Sequence, residues 1–378
     1  MSVLPQRYLK KLITADLKKK MVFLGGPRQV GKTTLAQTII TKYKDNHPAY
    51  LNWDSDVHRK KIKNQQWPKS EKLIVLDELH KLKTWRNFIK GLYDTLKNTH
   101  TFLVTGSARL DHFRKGGDSL LGRYYYYRLH PFSLPELGIN KNNLNDLFKY
   151  GGFPEPLLEK KETTLKRWHM SRLTKLVRYD LRDLETVKDL NKVEVLAEEL
   201  QSKVGSPLSI NALSGDLEVD HKTAKRWIEI LDSLYYCFQI PPYGSKKIRA
   251  VKKEKKLYLW DWSQVEDLGA RFENMLACQL LKYCHFHEDV NGEKMELRYI
   301  RDTNKREVDF VILKNKKPLF AVESKLKSSA ISPHIFYFKQ RTPIEKFYQV
   351  FMKGDEKQVQ DGVSLISFEN FCKIEKMI

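Results

Sequence analysis

Hydrophobic and polar positions divide the first third of the chain into short apolar runs and longer amphipathic segments. Each run is long enough for one buried strand, and the segments between the runs have the spacing of helices. The runs lie at residues 21–25, 50–53, 73–77, 101–105 and 124–129. This alternation predicts an α/β domain with a parallel sheet covered by helices on both faces. Ligands of open α/β sheets bind beyond the carboxyl ends of the strands, so the residues after each run are candidates for chemistry.

The first run is followed by a complete phosphate-binding loop, G-x-x-x-x-G-K-T, at residues 26–33. Its context has the order strand, glycine turn, helix, which the motif requires. The backbone amides and the helix N-terminus can face a phosphate, Lys32 can reach the β- and γ-phosphates, and Thr33 can hold Mg²⁺. The expected nucleotide-binding residues are Gly26, Pro27, Arg28, Gln29, Val30, Gly31, Lys32, Thr33 and Thr34. ATP and Mg²⁺ are therefore the predicted cofactors.

Four further side chains can complete an ATPase site. The third run ends in Asp77 and Glu78, which are expected to order magnesium and to polarise the attacking water. The alternative is that both are surface carboxylates that cap the next helix. Ser107 follows the fourth run and can contact the γ-phosphate or the water, although serine after glycine is also ordinary turn chemistry. Arg123 can supply charge to the transition state at its own or a neighbouring site, or it is a solvated arginine before a strand.

The middle of the chain changes pattern twice. Residues 145–200 have helical spacing after a break at residues 151–154, which predicts a helical lid or connector. Residues 210–217 and 221–234 form two short helical patterns, and two apolar runs at residues 235–240 and 257–260 follow them. Two helices and a hairpin in this order predict a winged helix, in which the second helix can enter a major groove.

Positive charge favours a polyanionic partner. The chain has 68 lysines and arginines against 46 acids, a formal net charge of +22. A lysine-rich genome is the alternative explanation. The predicted DNA contacts are Lys222, Lys225 and Arg226 on the second helix, and Lys246, Lys247, Arg249, Lys252, Lys253, Lys255 and Lys256 at the hairpin tip. Phosphate binding by these residues would be strong and salt-sensitive, whereas a solvated loop beside a packing module would bind nothing.

The last third of the chain carries a second set of acidic residues. Glu273 lies in a helical pattern, Asp309 lies in an apolar run, and Glu323-Ser324-Lys325 ends the next run. This spacing predicts a restriction-endonuclease-like core. Asp309 and Glu323 would converge on Mg²⁺, Glu273 would add a ligand or orient its water, and Lys325 would stabilise the hydroxide or the phosphate. Alternation along the strand places Ser324 on the face opposite to Glu323 and Lys325. Such a fold also persists as a binding or structural domain that cuts nothing.

Taken together, these segments resemble one group of prokaryotic ATPases. The segments are residues 26–33, 73–78, 104–107, 121–123, 151–154, 256–261 and 307–310, and they span nearly the whole chain. The group is that of AAA-type ATPases that join a phosphate-loop domain and a winged helix to a C-terminal restriction-endonuclease-like domain. The resemblance implies ATP hydrolysis and homo-oligomers, with Arg123 as arginine finger. Ser324 departs from the pattern, because an apolar residue is more usual there, and we expect the local strand to be less buried.

The predicted domains are an ATPase core at residues 1–140, a lid or connector at 141–205, a winged helix at 206–262 and a nuclease-like domain at 263–378. No run of about twenty apolar residues and no signal-peptide core occurs, which predicts a soluble, cytoplasmic protein without a membrane partner. The leading function is an ATP-driven enzyme that remodels or processes duplex or branched DNA, with possible Mg²⁺-dependent nuclease activity. The alternatives are an ATP-controlled signalling switch and a DNA-binding protein whose ATPase governs assembly.

Overall fold

The computed structural model describes residues 5–40, 47–106, 120–180, 189–244, 254–358 and 362–378. The chain divides into two compact units, Met1–Pro131 and Phe132–Ile378. The predicted core ended later, at residue 140. The residues just after Pro131 belong to the second unit because Lys282 donates to Ser133 Oγ at 2.8 Å and forms a buried ion pair with Glu136.

The first unit is built on one parallel sheet of five strands, and this prediction is confirmed. The sheet order is β2-β3-β4-β1-β5. The strands are β1 (Met21–Gly25), β2 (Tyr50–Asn52), β3 (Leu73–Asp77), β4 (Thr101–Thr105) and β5 (Tyr124–Arg128), and the helices are α1 (Lys10–Asp16), α2 (Lys32–Ile40), α3 (Asp56–Lys63) and α4 (Trp85–Leu96). Because β4 separates β1 from β3, the end of β4 lies between the phosphate-loop strand and the acidic strand.

Helices open the second unit. They are α5 (Leu134–Leu137), α6 (Lys141–Tyr150), α7 (Pro154–Glu159), α8 (Glu162–Lys175), α9 (Leu190–Ser202), α10 (Ile210–Asp216) and α11 (His221–Ser233). The segment expected to be a lid or connector packs inside this unit. Trp168 Nε1 of α8 donates to Asp261 at 2.8 Å, and Trp262 Nε1 donates to the carbonyl oxygen of Leu147 in α6 at the same distance.

A two-stranded antiparallel hairpin follows α11, formed by β6 (Cys237–Ile240) and β7 (Lys256–Leu259). The predicted cap of α11 is present, since Asp220 Oδ1 accepts from the amides of Lys222 at 2.9 Å and Thr223 at 3.0 Å. The predicted order of two helices and a hairpin is thus observed. Lys246, Lys247, Arg249, Lys252 and Lys253 lie outside the described residues.

The second unit ends in a mixed six-stranded sheet. Its order is β12-β13-β11-β10-β9-β8, with β9 antiparallel to β8 and β10, and β11 parallel to β10 and β13. The strands are β8 (Met295–Arg301), β9 (Glu307–Lys314), β10 (Lys317–Lys327), β11 (Phe347–Lys353), β12 (Lys357–Gln358) and β13 (Val363–Ser367), and the helices are α12 (Leu268–Asn291), α13 (Pro333–Lys339) and α14 (Phe368–Ile374). Helix α12 carries Glu273, while β9 and β10 carry Asp309 and Glu323.

No helix in the described part of the chain is long and apolar enough to cross a membrane. The four cysteines are free and buried, as the sequence predicts.

A buried charge joins α8 to the segment after β7. Asp261 is fully buried and accepts from Trp168 Nε1 at 2.8 Å and Ser263 Oγ at 2.6 Å. The Arg172 guanidinium lies 3.5 Å from the same carboxylate, and burial lowers the pKa of Arg172 while Asp261 opposes this effect.

We expect Asp261→Ala to lower the free energy of unfolding of the second unit by about 3–5 kcal/mol, because Arg172 would remain buried without its counter-charge. The matched control is Asp267→Ala, which removes the exposed cap of α12 and should cost about 1 kcal/mol. Denaturant unfolding followed by fluorescence measures both. Equal losses of unfolding free energy in the two variants would contradict a stabilising buried pair of Arg172 and Asp261.

Candidate nucleotide site and acidic centre

The phosphate loop has the backbone geometry that its glycines permit. Gly26, Gln29 and Gly31 have φ values of 136°, 59° and 96°. A Cβ atom at Gly26 would lie 2.4 Å from the carbonyl oxygen of Leu129, so a larger residue cannot occupy this position without displacing backbone. The loop therefore runs tightly between the end of β1 and the start of α2.

Two cationic side chains hold this loop from within the first unit. The Lys32 ammonium is buried and donates to the carbonyl oxygens of Gly26 at 2.9 Å and Pro27 at 2.6 Å. Arg7 Nη1 donates to the carbonyl oxygen of Val30 at 3.2 Å. Lys32 is thereby held over its own loop. Arg7 was missed, since nothing in the sequence connects it to a motif that lies beyond α1 and β1.

Asp77 lies at the centre of a set of hydroxyl donors at the carboxyl edge of the sheet. Its Oδ2 accepts from Thr33 Oγ1 at 2.8 Å and from Tyr50 OH at 2.5 Å, and its Oδ1 accepts from Thr105 Oγ1. Burial and the charge of Asp77 raise the pKa of Tyr50, which keeps its phenol protonated as a donor. Polarity at the end of β4 was the available signal for Thr105. Tyr50 is the first residue of its strand, and no sequence signal pointed to it.

The Thr33 and Asp77 pair fits a magnesium ion by its chemistry. Hard oxygen ligands from one hydroxyl and one carboxylate, with phosphate oxygens and water for the rest, are the usual surroundings of Mg²⁺ in nucleotide sites. The two side chains come from different elements, α2 and β3, yet their oxygens are 2.8 Å apart. The parallel sheet brings them together, as the sequence predicted.

Glu78 follows Asp77 in a left-handed backbone conformation with φ 57°. Burial raises the pKa of Glu78, while the positive charges of Lys32 and Lys81 oppose that shift. His80 Nε2 and Lys81 Nζ lie 3.6 and 3.7 Å from its Oε2. A carboxylate with a raised pKa is better suited to accept a proton from water. Its role as the base stays a prediction.

Of the two other candidate ATPase-site residues in this unit, the structure describes only one. Arg123 is described, and its Nε donates to Asp94 Oδ1 at 2.8 Å near the end of α4. Its role as arginine finger concerns a neighbouring subunit and stays a prediction. Ser107 lies outside the described residues.

In the second unit, Lys256 is surrounded by carboxylates. We call Glu273, Glu307, Asp309 and Glu323 the acidic centre. The Lys256 ammonium lies 2.5 Å from Glu307 Oε1, 3.1 Å from Glu273 Oε1 and 3.4 Å from Asp309 Oδ1, and its side chain is 1% exposed. The expectation that Lys256 contacts DNA at the hairpin tip is wrong, because the first residue of β7 turns its side chain into the protein.

Asp309 and Glu323 are held by their own strand neighbours. Asp309 Oδ2 accepts from the amide and the hydroxyl of Ser324 at 2.8 and 2.7 Å. Ser324 is buried and contacts Asp309, so the expectation that the local strand is less buried is wrong. Glu323 Oε1 accepts from Lys325 Nζ at 2.8 Å, as the shared face of the two residues predicts.

The carboxyl groups of the acidic centre differ in their surroundings. Burial, and then the charge of Asp309, raise the pKa of Glu323 to about 8. The same two causes raise the pKa of Glu273 to about 7, although Lys256 and a hydrogen bond from Tyr258 OH act against them. Burial lowers the pKa of Lys256, but its carboxylate neighbours outweigh burial and the net shift is upward.

This arrangement does not fit a resident metal ion. No group of three or more His, Cys, Asp or Glu side chains in the described ranges is placed to hold a metal. At the acidic centre an ammonium already lies among the carboxylates, and Ser324 occupies one oxygen of Asp309. The predicted Mg²⁺ on Asp309 and Glu323 therefore disagrees with the structure. The sequence assigned no role to Glu307 and Tyr258, although both lie in segments that carry the resemblance.

The basic side chains of α11 point to solvent. Lys222, Lys225 and Arg226 are exposed, whereas Trp227 and Ile228 of the same helix are buried. Lys225 Nζ lies 3.8 Å from Oε1 of Glu229, one turn further along the helix. Lys255 is also exposed, one residue before the buried Lys256. The exposed face of α11 thus has the sign of charge that was predicted for it.

Three family models match successive parts of the chain. Residues 18–138 match the AAA domain, residues 141–268 match a domain of unknown function (DUF8612), and residues 268–371 match another (DUF4143). With the sheet order and the loop geometry, the first match assigns residues 18–138 as a phosphate-loop domain of the AAA type.

Two proteins that are similar over most of the chain carry the description uncharacterized protein. MJ1637 of Methanocaldococcus jannaschii is 26% identical over 94% of this chain and 85% of its own length. MJ1544 of the same organism is 24% identical over 82% of this chain and 77% of its own. Among solved structures, the Orc1 protein of Aeropyrum pernix in complex with DNA is 16% identical over 74% of this chain and 95% of its own, with a TM-score of 0.33. That score is too low to carry an argument.

We expect Thr105→Val to weaken the binding of Mg²⁺–ATP by about tenfold, because a hydrogen bond to a charged group contributes about 1.5–3 kcal/mol and Asp77 would lose one that orients it. Thr101→Val, at the opposite end of β4, is the matched control. Titration with a fluorescent ATP analogue and Mg²⁺ measures both affinities. Identical affinities for the two variants would remove Thr105 from the site.

Proposed function

We propose that the protein is a Mg²⁺-dependent, ATP-hydrolysing enzyme that binds DNA and uses ATP turnover to remodel it. The observation that carries the first half is the 2.8 Å contact between Thr33 and Asp77, beside a lysine held over the phosphate loop. This is the arrangement in which a phosphate-loop threonine and a strand-end aspartate share one magnesium ion, while the lysine neutralises the β- and γ-phosphates.

Hydrolysis needs a group that orients water, and we assign this role to Glu78. It directly follows Asp77 at the carboxyl end of β3, and burial raises its pKa, which makes the carboxylate a better proton acceptor. Arg123 is proposed to act at the site of a neighbouring subunit, which would make a homo-oligomer the active form.

Nucleic-acid binding is supported by charge. The net charge of +22 favours a polyanion, and the described surface of α11 presents Lys222, Lys225 and Arg226 on its solvent side. We propose that α10, α11 and the hairpin of β6 and β7 are a winged helix, with α11 as the element that approaches the duplex. A basic helix face beside a basic hairpin can contact phosphates on two sides of a groove.

The C-terminal sheet is proposed to be a restriction-endonuclease-like core. Its support is the order of α12, then β8, β9 and β10, with Glu273, Asp309 and Glu323 on three of these elements. The buried ammonium of Lys256 among their carboxylates argues against an open metal site, and we assign the core no cleavage step. In this proposal it acts as a structural or binding domain.

The proposed ATP binding and hydrolysis are tested by comparing the variants Glu78→Gln and Lys32→Ala. We expect Glu78→Gln to keep ATP affinity within about twofold and to slow turnover by about a hundredfold, the usual contribution of a general base. Lys32→Ala should lose turnover and most of its ATP affinity, because the phosphates lose their positioned cation. Steady-state phosphate release and equilibrium ATP binding separate the two effects. Normal turnover in Glu78→Gln would mean that another residue positions the water.

The DNA half is tested by replacing Lys222, Lys225 and Arg226 together by Ala. Binding to a duplex should weaken at moderate salt, and the slope of log affinity against log salt should fall by up to about 0.9 for each phosphate contact removed. Lys60, Lys61 and Lys69, which are exposed in the first unit, provide a control of equal charge. A slope that changes equally in the control triple would assign the effect to net charge instead of to α11.

A further inference from the structure

We propose that Lys256 is a built-in cation that closes the acidic centre to divalent metal ions. The inference rests on geometry in the second unit and does not require the proposed ATPase or DNA binding. It predicts that the centre gains a metal site only when the Lys256 ammonium is removed from it.

The ammonium occupies the position that a metal ion would need. It lies 2.5–3.4 Å from carboxylate oxygens of Glu307, Glu273 and Asp309, which come from two strand positions and one helix. Mg²⁺ binds oxygens at about 2.0–2.1 Å in a rigid octahedron. An ion bound by the same oxygens would lie in contact with the ammonium, and two positive charges cannot share that space.

Other contacts also hold two of these carboxylates in position. Asp309 Oδ2 accepts two hydrogen bonds from Ser324, and Glu273 Oε1 accepts one from Tyr258 OH at 2.7 Å. The backbone of Gly205 lies against the Glu273 carboxylate, because a Cβ atom there would be 3.0 Å from both carboxylate oxygens. These contacts prevent the carboxylates from turning around the lysine toward an incoming ion.

One carboxylate oxygen of the acidic centre accepts no hydrogen bond in the described structure. Glu323 Oε2 is buried and has no hydrogen-bond partner in the described structure, although Oε1 of the same group is bound by Lys325. The residue is 6% exposed. Glu323 Oε2 is therefore an oxygen that could serve as a further ligand for a cation bound at Asp309, whose charge already acts on Glu323.

The backbone that carries Lys256 is held on both sides, and its 1% exposed side chain extends from that fixed position into the carboxylates. On one side β7 pairs with β6, where Ile240 is the partner of Lys256. On the other side the amide of Leu208 donates to the carbonyl oxygen of Lys255 at 2.9 Å, and the amide of Gly205 donates to that of Leu257 at 3.0 Å. These contacts fix the position from which the Lys256 side chain reaches the acidic centre.

The test is Mn²⁺ binding to the nucleotide-free full chain, measured from the electron paramagnetic resonance signal of free Mn²⁺. We compare wild type, Asp309→Asn, Lys256→Met, Lys256→Met/Asp309→Asn and the exposed neighbour Lys255→Met. Lys256→Met should gain one Mn²⁺ site at least about tenfold tighter than any wild-type site that depends on Asp309, because a like charge in contact is removed. The double variant should lose this site, and Lys255→Met should match wild type.

Two results of this titration would overturn the proposal. One is a folded Lys256→Met protein that gains no Mn²⁺ site. The other is a wild-type protein whose Mn²⁺ binding is as tight as that of Lys256→Met and disappears in Asp309→Asn.

A second measurement covers the case in which Lys256→Met does not fold. Reductive methylation of native wild type, read by mass spectrometry, should modify Lys255 and leave Lys256 unmodified, with or without millimolar Mn²⁺, whereas the denatured chain should react at both. Methylation of Lys256 at the rate of Lys255, or exposure of Lys256 by Mn²⁺, would contradict a closed centre.

Discussion

The second unit depends on the ion cluster around Lys256. Buried charges are tolerated when they are paired, because their desolvation costs several kcal/mol each. Here one ammonium lies within reach of three carboxylates and connects β7, α12 and β9. Without a cation in their midst, Glu273, Glu307 and Asp309 would repel one another in a region with little water. The lysine therefore joins the hairpin to the C-terminal sheet, and its positive charge offsets part of the negative charge of the three carboxylates.

The buried aspartate of the first unit is stabilised in a different way, and the difference matters for function. Asp77 is surrounded by the hydroxyl groups of Thr33, Tyr50 and Thr105, which donate hydrogen bonds but carry no charge. A magnesium ion can therefore supply the positive charge there. Asp309 already has Lys256 beside it. The two strand carboxylates thus differ as metal ligands because their neighbours differ: Asp77 has neutral hydroxyl groups beside it, and Asp309 has an ammonium.

Sequence patterns located the strands and the loop well because both depend on local chemistry. The limits of β1, β3 and β4 agree with the apolar runs, and the cap at Asp220 follows from residue type and position. The burial of Lys256 could not be read in this way. It stands after a run of basic residues that suggests a solvated loop, and its surroundings depend on contacts with residues that follow it by 17 to 53 positions.

The same limit explains the other residues that were missed. Tyr50 and Thr105 reach Asp77 only because the sheet places β2 and β4 on either side of β3. Ser324 binds Asp309 because neighbouring strands bring them together. Local patterns identify which residues can do chemistry. Long-range packing decides which of them meet, and whether a charged group is met by a hydroxyl, an ammonium or water.

We propose that the phosphate-loop unit hydrolyses ATP in response to DNA. This proposal is tested most directly by steady-state ATP turnover of the full chain with Mg²⁺ and a panel of single-stranded, duplex, forked and four-way DNA. At least one of these DNAs should raise turnover severalfold, and Lys32→Ala should abolish both basal and stimulated turnover. Turnover that is the same with every DNA, or that persists in Lys32→Ala, would contradict it.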